Sequence, residues 1–192
     1  MSARLAQEVP MWRPVSVVAL AVALTAASAT PAPLSAQRSR EPAAFGISGG
    51  LSLPTGDLKR DLSTGYSVAG HLLSRQGTVK GLRFRIDASF DRWAYAQDAS
   101  VSYRSVGAIV NAHYRIGESA GGQRIVYLLG GLGVFNDKAA DGPSGTDTGM
   151  QMGAGVDVKL AGLATFVEAK YVNVFAANRN LIRIPLTVGV RF

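Results

Sequence analysis

The 192-residue sequence contains no cysteine. That absence removes disulfides, thiol nucleophiles and thiolate-bound metals. Histidine is nearly as scarce, with only His71 and His113. No His-x-x-His pair, Gly-x-Ser-x-Gly turn or loop-borne Asp/His pair accompanies them, so zinc-assisted hydrolysis and serine catalysis lose their usual residues. Charge is sparse as well, at 17% of residues where soluble domains carry about 25%. Past residue 43 no segment sustains an apolar period of 3.6, which argues against a helical domain. Long apolar runs are also lacking. The longest, Val15–Leu24 broken only by Ser16, is about half of the ~20 residues that a spanning helix needs.

That short run has the form of an export signal. Arg13 supplies the basic flank, and small residues follow. Residues 1–36 are read as a signal peptide, cleaved either after Ala27-Ser28-Ala29 or after Leu34-Ser35-Ala36, just before Gln37; Met11 is an alternative start. With no cysteine behind the apolar run, a lipoprotein anchor is excluded. Residues 37–43 are expected to form a short periplasmic segment and 44–192 a single domain. From Gln37 onward there are 18 basic and 12 acidic residues. The excess is not arranged for nucleic acid: the longest basic cluster is Lys59-Arg60, flanked by Asp57 and Asp61, and no aromatic-basic groove is visible.

What the sequence does contain is alternation. Ile182, Ile184, Leu186, Val188, Val190 and Phe192 are apolar, while Arg183, Pro185, Thr187, Gly189 and Arg191 lie between them. Leu82, Phe84, Ile86, Ala88 and Phe90 alternate in the same way with Arg83, Arg85, Asp87, Ser89 and Asp91. Period-2 patterning separated by Gly, Asp, Asn, Ser and Pro clusters predicts strands over about 44–53, 65–74, 81–91, 101–116, 124–135, 149–160, 163–174 and 182–192. Each is at least as long as the ~9–11 residues that a tilted strand needs to cross a bilayer. The fold class expected is all-β, an eight-stranded antiparallel up-and-down transmembrane barrel. The Ala161-Gly162 turn fixes one register: with Leu160 opposite Leu163, Val156 meets Val167, Ala154 meets Ala169 and Met152 meets Tyr171. On the other face Gly155 lies opposite Glu168 and Gly153 opposite Lys170. The run Ile125–Phe135 is apolar at both parities, and Gly131 and Gly133 favour its odd positions as inward.

Alternation alone does not say which face is inside. The polar face is rich in Gly and Ser (46, 48, 50, 52, 153, 155), which suits a narrow lumen better than water. Arg83, Arg85, Asp87, Asp157, Lys159, Glu168, Lys170 and Arg183 are therefore expected to point into the lumen. Turned toward lipid, each Arg or Lys near midplane would cost roughly 2–4 kcal/mol. They form either a structural ion-pair network that fills the barrel or a positively biased path for small anions. His71 and His113 fall on the same inner face, as interior residues. The expected loops 54–64, 91–100, 136–148 and 175–181 carry net charges of 0, −1, −2 and +1, so the exposed rim offers no strongly basic patch for lipopolysaccharide phosphates. Gly130-Gly131-Leu132-Gly133 is glycine-rich, but no helix follows to make a phosphate cradle. Trp93, Tyr95 and Tyr103 are expected in an interfacial aromatic girdle.

Four segments carry a family likeness: Phe45-Gly46-Ile47-Ser48-Gly49-Gly50-Leu51, Tyr127–Val134, Phe166-Val167-Glu168-Ala169-Lys170-Tyr171 and Ile184–Phe192. Over residues 44–192 the chain resembles the small outer-membrane β-barrel family of OmpA/OmpX/OmpW-like proteins. The resemblance implies a bacterial outer-membrane location and insertion by the barrel-assembly machinery, which reads the last strand and its terminal aromatic, here Ile182 to Phe192. It implies contact with outer-membrane lipid and lipopolysaccharide. The His-x-Ser signature of lipid A deacylases is absent. The resulting expectation is a monomeric, non-catalytic barrel without cofactor, metal or nucleic-acid partner, in a structural, surface-interaction or minor permeability role. A narrow anion-favouring channel or small-molecule carrier is the alternative, and a lipid A-modifying enzyme a further one.

Overall fold

The computed structural model describes residues 43–192, apart from 76, 119–123, 141, 161–162 and 178. The expected signal peptide, its cleavage sites, residues 37–42 and the Ala161-Gly162 turn lie outside the described residues. Eight strands follow one another: β1 (Ala44–Thr55), β2 (Gly65–Leu73), β3 (Leu82–Ala94), β4 (Ser102–Glu118), β5 (Arg124–Ala139), β6 (Ser144–Leu160), β7 (Leu163–Ala176) and β8 (Arg179–Arg191). Each pairs antiparallel with its neighbour, and β1 pairs with β8 to close the barrel. Along this seam Gly46 faces Arg191 and Thr55 faces Ile182. Phe45 and Phe192 exchange backbone hydrogen bonds of 3.1 and 2.7 Å, so both ends of the described chain meet at one mouth, termed proximal below.

The expected register of β6 and β7 holds at every position named: Leu160 with Leu163, Val156 with Val167, Ala154 with Ala169, Met152 with Tyr171, Gly155 with Glu168 and Gly153 with Lys170. The strands run further toward the distal mouth than alternation suggested. β5 and β6 continue through Asn136–Thr146, Asp137–Gly145 and Lys138–Ser144. Backbone ladders carry these rows, and backbone bonds do not need apolar alternation. A short helix missing from the sequence reading, α1 (Leu58–Asp61), sits in the first distal connection. Gly56, with φ +59°, makes the turn that leads into it.

The two faces of the wall are sharply different. Outward positions are apolar and exposed, among them Ile47, Val68, Phe84, Ile86, Val110, Leu128, Leu132, Val167 and Val188. Leu132 is 70% exposed in the isolated barrel, a placement favourable against hydrocarbon and unfavourable against water. Inward positions hold the buried polar residues and much of the aromatic bulk. Odd positions of β5 point in, with Tyr127, Leu129 and Phe135 buried. Glycine makes room for these rings. A Cβ at Gly155 would strike the Tyr127 ring, and one at Gly107 would lie 2.7 Å from Phe135. Gly155 thus accommodates an aromatic neighbour rather than the Glu168 across from it. Gly153 does face a charged chain, with Lys170 Cγ 2.9 Å from an added Cβ.

Candidate functional site

Among the described residues, buried polar side chains concentrate in the lumen, which is filled in three layers. The middle layer begins with parity. Arg85 and Asp87 are two residues apart on β3, and Glu168 and Lys170 are two apart on β7, so each pair shares the inward face. In an eight-stranded cylinder β3 and β7 stand on opposite walls. Arg85 bridges them: Nε and Nη2 donate to Asp87 at 2.6 and 2.9 Å, while Nη1 and Nη2 donate to Glu168 at 2.6 and 2.9 Å. Lys170 Nζ lies 3.2 Å from Glu168, and the Tyr127 hydroxyl donates to the same carboxylate at 3.0 Å. Gln151 donates to Asp87 at 2.9 Å and to Asn111 at 2.7 Å, and Asn111 donates to Asp87 at 3.2 Å. Two cations and two anions balance within this layer. That balance is what makes burying them tolerable, since a lone buried charge is very costly.

The proximal layer centres on Arg191. Its Nη1 donates to both Asp157 oxygens at 2.7 Å, and its Nε lies 3.3 Å from His71 Nε2. The guanidinium packs over Phe166, 4.9 Å from the ring centre. His113 stacks on Tyr127 at 4.3 Å. Arg83 donates to the Ser74 carbonyl at 2.7 Å. A recess of about 20 Å³ between Arg83, His113, Arg115, Asp157 and Arg191 has room for about one water.

The distal layer turns apolar. Arg183 pairs with Asp91 at 3.3 Å and lies between the Trp93 and Phe135 rings, at 5.5 and 5.0 Å. Trp93 donates to the Ser52 carbonyl at 3.0 Å. Above it Leu58 and Leu62 descend from the α1 connection onto Tyr103, Ile109, Val172, Val174 and Leu181. The spacing of four between Leu58 and Leu62 puts both on one side of a helical turn, facing this cluster.

Of the expected lumen residues, Arg83, Arg85, Asp87, Glu168, Lys170 and Arg183 are buried inside, and Asp157 is held by Arg191. Lys159 is different. It shares the inward parity, but it stands one residue from the end of β6 and is exposed at the proximal mouth, clear of the buried network. The expected aromatic girdle also needs correction. Trp93 and Tyr103 are buried in the lumen and Tyr95 packs against the same cluster, because odd positions of β3 and β4 face inward. Arg191, Asp91, Asn111 and Gln151 also line the lumen although the expected charge network did not include them, and Tyr127 points inward as the odd parity of Ile125–Phe135 implied. Parity was the signal available: Arg191 is in phase with Arg183, and Asp91 with Asp87.

No protein-family model and no curated protein sequence matches the chain. Solved structures do. Neisserial surface protein A is 16% identical with a TM-score of 0.62, the match covering 79% of this chain and 97% of that one. The N-terminal β-barrel domain of Pseudomonas aeruginosa OprF is 13% identical with a TM-score of 0.51, covering 80% of this chain and 99% of the domain. The likeness is one of fold. This chain has the closed eight-stranded, up-and-down architecture of the small outer-membrane barrels.

Proposed function

We propose that this chain is an integral protein of the bacterial outer membrane, non-catalytic and closed to steady conduction, with a structural or surface-interaction role. Export by residues 1–36 and insertion guided by Ile182–Phe192 belong to the same reading, as does a monomer bathed in outer-membrane lipid and lipopolysaccharide. The observation that carries the closed lumen is the Arg85 bridge from β3 to β7, beneath the Trp93–Phe135 layer and the Leu58–Leu62 plug. An eight-stranded interior is just wide enough for side chains to fill, and these side chains fill it. The exposed aliphatic wall supports the membrane setting.

Conductance of the purified barrel in planar bilayers tests this directly. Only baseline current with brief, irregular events is expected. Steady anion-favouring single-channel steps would replace the closed barrel with the narrow-channel alternative. The absence of catalysis is supported by the histidines, since His71 contacts Arg191 and His113 is stacked on Tyr127, both deep in the lumen. Incubation with acyl-labelled lipid A should release nothing. Release that disappears in H113F would overturn the non-catalytic reading.

A further inference from the structure

Arg92, Arg104 and Lys138 stand side by side on the outer wall. Arg92 lies directly opposite Arg104, and Arg104 directly opposite Lys138, on β3, β4 and β5. They face outward, since Asp91, Trp93, Tyr103, Ser105 and Asp137 on either side of them are buried in the lumen. Arg92 and Arg104 are exposed and Lys138 is half-buried. Among the described residues none of the three side chains has an ion-pair or hydrogen-bond partner. Like charges directly opposite across strands repel, so the row is unfavourable as it stands. The flanking positions offer no relief, being Tyr66 on β2 and Ser144 on β6. Asp98 in the neighbouring loop already accepts from Ser100 N and Oγ at 2.9 and 2.6 Å.

Depth says what could supply the missing anion. The outward positions one pair below the row are Phe90, Val106 and Asn136, and the apolar wall continues down β3 through Ala88, Ile86 and Phe84 to Leu82. From Leu82 to Arg92 a strand rising about 3.4 Å per residue and tilted about 40° climbs roughly 25 Å, the height of a barrel's lipid-facing band. The cations therefore sit where hydrocarbon ends and headgroups begin. Opposed residues are about 5 Å apart, so the row spans about 10 Å, within reach of one or two phosphates. Charge complementarity at that depth selects a phosphorylated lipid.

We propose that Arg92, Arg104 and Lys138 form a binding site for the phosphate groups of a lipid headgroup in the leaflet at the distal mouth. Resting on the outer-membrane reading above, that lipid is lipid A with its phosphorylated glucosamines. The site lies on one side of the barrel, across β3, β4 and β5, and orders one lipid there. The loop charge sums concealed it, because Arg92 and Lys138 fell within expected loops where acidic residues offset them, and of these Asp91 and Asp137 are buried in the lumen.

The test embeds the barrel in nanodiscs of phosphatidylcholine containing either bis-phosphorylated lipid A or the same lipid dephosphorylated. Native mass spectrometry then counts the lipid retained after release. Wild type should favour the phosphorylated form by roughly a hundredfold, given three cations near the surface. R92Q/R104Q/K138Q should fall to the level of the dephosphorylated lipid, whereas R75Q, at the proximal end, should behave as wild type. Equal retention of both lipids by wild type overturns the site, whatever the variants do. So does undiminished retention by the triple variant. Failure of wild type to give a heat-modifiable folded band in either bilayer would instead sink the membrane reading.

Discussion

Arg85 spends both edges of its guanidinium on carboxylates from opposite walls, so its removal and the removal of its partner are not equivalent to removing both. Glu168→Gln strips one carboxylate from a buried guanidinium and leaves Lys170 without its partner. Breaking a buried pair from one side costs about 3–5 kcal/mol. Urea unfolding of the E168Q barrel in detergent micelles is expected to show a loss of that order. The R85M/E168M double variant removes one charge of each sign and should recover much of it. A double variant no better than the sum of its single changes would mean the bridge contributes little. These partners were partly legible beforehand, since parity placed Arg85, Asp87, Glu168 and Lys170 on the inner face. Which of them touch was not, because contact across a lumen depends on where strands three and seven stand in the closed ring. Trp93 and Tyr103 were misplaced for another reason: an aromatic in a membrane barrel reads as a girdle residue until its parity is checked.

The α1 connection shows a different limit. One helical turn has no periodicity to detect, and only the spacing of Leu58 and Leu62 hinted at it. Their burial makes the connection a stopper over Trp93, which is the single tryptophan from Gln37 onward. In a barrel lacking residues 1–36, iodide should scarcely quench that fluorescence. Leu58→Ser with Leu62→Ser should raise quenching several-fold without unfolding the barrel, each lost leucine contact weakening the stopper by about 2 kcal/mol. Unchanged quenching in a folded double variant would show that the lower rings alone seal the distal mouth. Strand ends were legible only as far as apolar alternation continued. Beyond it β5 and β6 are held by backbone ladders through Asn, Asp, Lys, Ser and Gly, residues that ordinarily announce a loop.

The architecture as a whole was the most legible part of the chain, because a closed barrel repeats one rule eight times. Through the membrane-facing band each strand turns an aliphatic row outward and its polar, small or lumen-filling residues inward, so an ambiguous segment such as Ile125–Phe135 is settled by its neighbours. The seam is the exception, since nothing in β1 or β8 taken singly declares that they pair. There Phe192 joins Phe45 through two backbone hydrogen bonds and exposes its ring to the outside. Deletion of Phe192 removes those bonds along with the terminal aromatic. It is expected to slow insertion in cells and leave unfolded protein in the periplasm, seen as loss of the heat-modifiable band. Unchanged band intensity in native membranes would count against a role for the terminus in assembly.

The bridge between the third and seventh strands also bears on how such a cylinder comes to be finished. A curl of six strands would hold a guanidinium half satisfied and facing hydrocarbon or stray water, with its second carboxylate still unplaced. Incomplete intermediates are thereby penalised until the late strand arrives. Completion is rewarded in one step, so the same ion pairs that block the passage also discourage the molecule from stopping short of a ring.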